Sequence, residues 1–155
     1  MPILDFLPSI LIGAVASARS MTPMAALAGA HLAHRKTPGK LWLLDKPLFT
    51  AGALARGAGE LYGDKMKSAP DRTVFLGLLA RVMSAGIAGA ALAPRGHERT
   101  GVALAVGTAA PMAYLTLSAR KKAMAEIGQT KSGVIEDVLI VAAGVAVVAW
   151  AIGRR

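Results

Sequence analysis

The feature that most constrains this chain is a succession of six apolar segments joined by polar stretches too short to form domains of their own. The segments run from about Ile3 to Ala18, Thr22 to His34, Pro47 to Tyr62, Thr73 to Ala93, Gly101 to Ala119 and Gly133 to Gly153. The joints read "RKTPGKLWLLDK", "GDKMKSAPDR", "PRGHERT" and "KKAMAEIGQTKS". Over 155 residues, 54% are hydrophobic and 17% charged, and the mean hydropathy is +0.50. A soluble domain has no means of hiding so much apolar length. The pattern predicts an all-α, polytopic transmembrane helical bundle of about five to six membrane segments, forming a single domain over residues 1–155. Alternating segments with aromatic girdles, the signature of a membrane β-barrel, do not occur. Much of the apolar content is alanine and glycine, which lets helix backbones approach closely inside a bilayer.

The N-terminal stretch "MPILDFLPSILIGAVASA" resembles a secretion signal in its small-residue end. It carries Asp5 where a basic region is expected, so it reads as a retained first membrane helix. Cysteine is absent, which excludes disulfides and thiolate metal sites.

The first two segments are together too long for one straight crossing, and each alone is too short. Between them lies "ARSMTP", an arginine, two hydroxyls and a proline where lipid is expected. Thr22 followed by Pro23 has the form of an N-cap with proline in the first helical turn. The sequence therefore predicts a broken first helix, interrupted at Arg19, Ser20 and Thr22, with these groups facing protein or water. Alignment of residues 13–36 with 101–122 places Gly13, Pro23, Met24, Ala25 and Leu27 over Gly101, Pro111, Met112, Ala113 and Leu115. If this is an internal repeat, the two halves are inverted, as in many small transporters. Basic residues occur in nearly every joint, so the positive-inside rule assigns no orientation.

Eighteen Lys and Arg against nine Asp and Glu give a net charge of +9. The cations gather at segment ends, in "HRKTPGK", "ARKK" and "GRR". Anchoring to anionic membrane lipids accounts for that placement better than nucleic acid does. Ionisable residues inside segments are costly and point to function. Besides Arg19 they are Arg56, Glu60 and Asp64 at helical spacing, Arg81, and the adjacent Glu136 and Asp137. The stretch "GELYGDKMKSAPDR" adds Lys65 and Arg72 and contains a G-x-x-x-G step at Gly59 and Gly63, read as a close helix approach. A salt bridge from Arg81 to one of the carboxylates at 60, 64, 136 or 137 is the structural reading of that arginine. His31 and His34 share a helix face but have no acidic neighbour, so no metal or other cofactor is expected. No nucleophile–base set is visible, and no enzymatic activity is expected.

"RSMTPMAALA", "ELYGDKMKSAPDRT", "ARVMSAGIAGAAL" and "VIEDVLIV" together resemble a family of small bacterial membrane proteins defined only as domain of unknown function 4126. The resemblance extends from about Leu11 to Val148. Its most specific part is the pattern Glu60, Asp64, Lys65, Pro70 and Arg72. It implies an integral protein of the bacterial inner membrane and supplies no substrate.

Two functions fit these residues. One is a small permease or channel, with an anionic or proton-coupled solute held between the Arg19–Pro23 corner and the carboxylates, and a homo-oligomer, most simply a dimer, completing the path. The other is a non-transporting accessory protein that binds lipid headgroups or a partner. Transport predicts a wet polar path. The accessory reading predicts that Arg19 and the carboxylates pair with one another and leave no pocket.

Overall fold

The computed structural model describes residues 3–40, 42–63 and 75–154, apart from the side chains of 43, 44 and 60–63. Its α-helices are α1 (Leu7–Ala18), α2 (Thr22–Leu32), α3 (Pro47–Gly63), α4 (Phe75–Leu92), α5 (Glu98–Ile127) and α6 (Gln129–Gly153). Short 3-10 turns at Ile3–Phe6 and Trp42–Asp45 precede α1 and α3. Each helix lies on one of the six apolar segments, and no strand occurs among the described residues. Three helices, α4, α5 and α6, are long and apolar enough to cross a membrane. Against the expected five to six spans, three helices reach spanning length among the described residues, and the first two segments fall short of it.

The reason lies at the N-terminus. With a rise of about 1.5 Å per residue, α1 and α2 are roughly 18 and 16 Å long, about half of a hydrocarbon core near 30 Å. They do not continue one another; the chain reverses between them. Near the start of α1, Ser9 Oγ donates to Gly89 O at 2.8 Å. Beyond the end of α2, Gly39 N donates to Ala91 O at 2.8 Å. Both ends of the pair thus meet the C-terminal end of α4, while the junction lies near Arg81, far down the same helix. The first two helices form a hairpin with both open ends at one face of the bundle, its entry face. That face also holds the C-terminus, where Arg154 Nη1 donates to Leu4 O at 3.1 Å.

α1 is the centre of the bundle, packed against α4, α5 and α6. The contacts are made by removing side chains. A Cβ on Gly13 would strike the backbone of Ala105, and one on Gly89 would strike Gly101 O and Ala105 Cβ. Around them Ala16, Ala85, Ala88, Ala105 and Ala109 are fully buried with Ile12 and Leu27. In a bilayer such close approach supplies the packing that water exclusion supplies elsewhere. On α6, Gly144 sits against both arms of the hairpin, its Cβ position 3.1 Å from Thr22 Cγ2 and 3.4 Å from Val15 Cγ1. α3 packs on α2, where Gly57 faces Ala25 Cβ at 2.9 Å. Gly59, expected to make that approach, has open space beside it instead. Gly57 lies two residues away, on a different side of the helix.

α5 and α6 are separated only by Gly128, at φ 86°. The polar joint expected there is absorbed into the two helix ends, because one glycine in the left-handed region reverses the chain without a loop. α5 is a single helix with Pro111 inside it. The break of the first helix therefore has no counterpart in the segment aligned with it, and the expected inverted repeat is not seen in the helices.

Candidate functional site at the hairpin tip

α1 ends at Ala18 because the next residue, Arg19, is extended at φ −140° and ψ 117°. α2 then begins with Thr22 and Pro23 in its first turn. The cap of α2 is Met21, without a side-chain hydrogen bond, rather than the expected Thr22. Thr22 turns its methyl group to Gly144, so packing on α6 takes the side chain that capping would have used. Ser20 and Thr22 are 8% and 6% exposed, and Pro23 is fully buried. The interruption is enclosed in protein, which is the condition for irregular backbone at membrane depth.

Arg19 is the largest fully buried side chain among the described residues. Its Nη2 is paired with Asp137 Oδ1 on α6. Asp137 lies about 12 Å along α6 from its start. Arg81, on α4, donates from Nε to Ser17 O at 3.0 Å and from Nη1 to Gly77 O at 2.8 Å. Its described bonds therefore go to main-chain carbonyls, one of them at the end of α1, where helix termini leave acceptors over and the dipole is negative. Thr116 on α5 shares itself between Ser17 O at 3.4 Å and Ala113 O at 3.1 Å. Beside this, Arg120 Nη1 meets Glu136 Oε2 at 3.3 Å, with side-chain exposures of 10% and 17%.

The structure thus brings together Arg19, Ser20, Thr22, Pro23, Arg81, Glu136 and Asp137 of the residues singled out in the sequence. Arg56 is exposed on α3. Glu60 is in α3, with its side chain outside the description, and Asp64, Lys65 and Arg72 lie outside the described residues. Thr116 and Arg120 were missed. A signal existed for Arg120: it and Glu136 lie eight residues on either side of Gly128, so a hairpin closed there brings them level.

Chemically, the tip holds arginines and carboxylates in a low-dielectric setting where charge attraction is strong and desolvation is costly. Among the described residues, no group of three or more His, Asp or Glu side chains converges on a metal-sized space. The larger grooves nearby are apolar. One of about 550 Å³ lies among α2, α3 and α6, and one of about 480 Å³ lies between α3 and α4. Comparison with known proteins returned no matching family model, no matching curated protein and no matching solved structure.

Proposed function

We propose that this is a non-transporting accessory protein of the bacterial inner membrane, in which the charged cluster locks a re-entrant hairpin in place. The surface carried by that hairpin then serves to bind lipid headgroups or a partner. The observation that carries this reading is the buried pairing of Arg19 with Asp137, with Arg81 and Thr116 both donating to the Ser17 carbonyl at the end of α1. Opposite charges paired in a buried tip fit a lock better than a solute path, and the neighbouring grooves are mostly apolar. Membership of the bacterial family suggested by Glu60, Asp64, Lys65, Pro70 and Arg72 belongs to the same proposal.

A second reading, a permease for a small anionic or proton-coupled solute, has one feature in its favour. A chain reversal at membrane depth, with the start of a half-helix beside charged groups, is a recurrent way to build a transport site. In that reading Arg19–Asp137 is a gate, opened when a solute anion replaces Asp137 or a proton neutralises it, and a dimer completes the route.

Single cysteines at Ser20 and Thr22 separate the two, because the chain has no cysteine of its own. With a membrane-impermeant thiol reagent, the lock predicts protection at both positions, while a cysteine at exposed Lys36 labels. Labelling at either tip position would place water there and favour the permease.

A further inference from the structure

The face by which the hairpin enters carries a second set of charges, built on different terms. Between the end of α2, the Trp42–Asp45 turn and the loop after α4 is a recess of about 500 Å³. His31, His34, Arg35, Lys36, Lys40 and Arg95 line it, with Asp45 the one carboxylate among its lining residues. Among the described residues none of these six basic side chains is in an ion pair. Trp42, 68% exposed at the same rim, has the position of an interfacial aromatic anchor.

Two further observations give this recess a direction. Arg35 also borders the apolar groove among α2, α3 and α6. That groove runs from Thr22 at the tip to Ile152 near the entry face, over Ala26, Gly29, Ala30 and Val148. A cationic recess and an alkyl-lined groove therefore share one guanidinium.

The second is backbone. α2 ends in a Schellman turn, with Arg35 N donating to Ala30 O and His34 N to His31 O, both at 2.9 Å. The residue in the left-handed position is His34, at φ 55°, where glycine is the favoured residue. A side chain kept at a position that disfavours side chains is a pointer to use.

We infer that the recess and the groove together are a binding site for an anionic phospholipid, with the phosphate among His34, Arg35, Lys36 and Arg95 and one acyl chain along α2. Charge complementarity selects an anionic headgroup, and the groove selects a molecule that carries a chain. The inference deepens the lipid-binding part of the accessory reading and rests on it. It does not require the tip to be a lock, so the two fail separately.

The test is native mass spectrometry of the full chain released from detergent micelles containing phosphatidylglycerol or phosphatidylcholine. Phosphatidylglycerol is expected to be retained over phosphatidylcholine. Arg35→Gln is expected to weaken that retention about fivefold, the equivalent of about 1 kcal/mol for one basic residue at a membrane surface. Gly29→Leu fills the groove without striking protein, since nothing lies within 4 Å of a Cβ there, and should weaken retention with no loss of thermal stability. His34→Gly should raise the melting temperature while lowering retention, a split that a purely structural role for His34 would not give. Equal retention of the two lipids overturns the site. So does an unchanged Gly29→Leu variant, or inorganic phosphate binding as tightly as the lipid, since either would leave the groove without a part. Protection of Ser20 and Thr22 from thiol reagent together with no lipid preference would leave the lock standing and remove this site alone.

Discussion

The hairpin tip and the entry face use the same side chains to opposite ends. At the tip, Arg19 is 1% exposed and sits against Asp137, and Arg81 donates from Nε and Nη1 to the carbonyls of Ser17 and Gly77. At the entry face, Arg35, Lys36, Lys40 and Arg95 are exposed and outnumber the carboxylates beside them, Asp45 and Glu98. The contrast follows from solvation. A cation taken from water must be matched within the fold, because leaving it unmatched costs several kcal/mol. A cation at the membrane surface keeps its water and is available to something outside the chain. The position of an arginine in the bundle, and not its identity, decides whether it holds the fold or meets a ligand.

That contrast can be attacked in steps. The largest effect belongs to the tip pair: Asp137→Asn removes the carboxylate charge paired with buried Arg19 and is expected to lower stability by about 3–5 kcal/mol in detergent unfolding. A loss under 1 kcal/mol would mean that water reaches the tip. Arg81→Met keeps the bulk but removes the shorter of the two hydrogen bonds to Ser17 O at the end of α1. A loss of about 1–3 kcal/mol is expected, with increased hydrogen exchange at the tip amides. Arg120→Gln breaks a pair at the edge of the cluster, still partly hydrated, and about 1 kcal/mol is expected from the same unfolding measurement. The smallest effect is on the entry face, where Arg154 and Asp5 stand 3.5 Å apart with side chains 38% and 29% exposed. Arg154→Gln should change stability by no more than about 0.5 kcal/mol, and raising salt to 1 M should erase even that difference. An Arg154 effect as large as that of Arg81 would end the distinction between the two regions.

How much of this was legible beforehand depends on the range of the interaction. Local signals worked. Proline after threonine marked the start of α2, and the run from Arg19 to Thr22 marked the interruption to within one residue, because a helix and its ends are written in neighbouring residues. The fate of the interruption was not legible. A kinked helix and a reversed one share the same local sequence, and only Ser9 on Gly89 and Gly39 on Ala91 distinguish them. Nor did spacing identify the partner of Arg19, which lies 118 residues away. Helical periodicity tells which residues share a face, and is silent on which helix comes to meet it. Arg120 illustrates the same limit: within "ARKK" it reads as a headgroup anchor, yet the turn at Gly128 draws it inward to Glu136. The stretch from Asp64 to Arg72, the most specific part of the family resemblance, lies outside the described residues.

The most direct test of the central claim is a double-mutant cycle on Arg19 and Asp137. Stability in detergent would be measured for Arg19→Gln, Asp137→Asn and the double variant. If the pair is a lock, each single change is severe and the double variant recovers a large part of the loss, since it leaves neither charge stranded. Losses that simply add would contradict the account, because they would show the two side chains to be energetically independent and the hairpin to be held by something else.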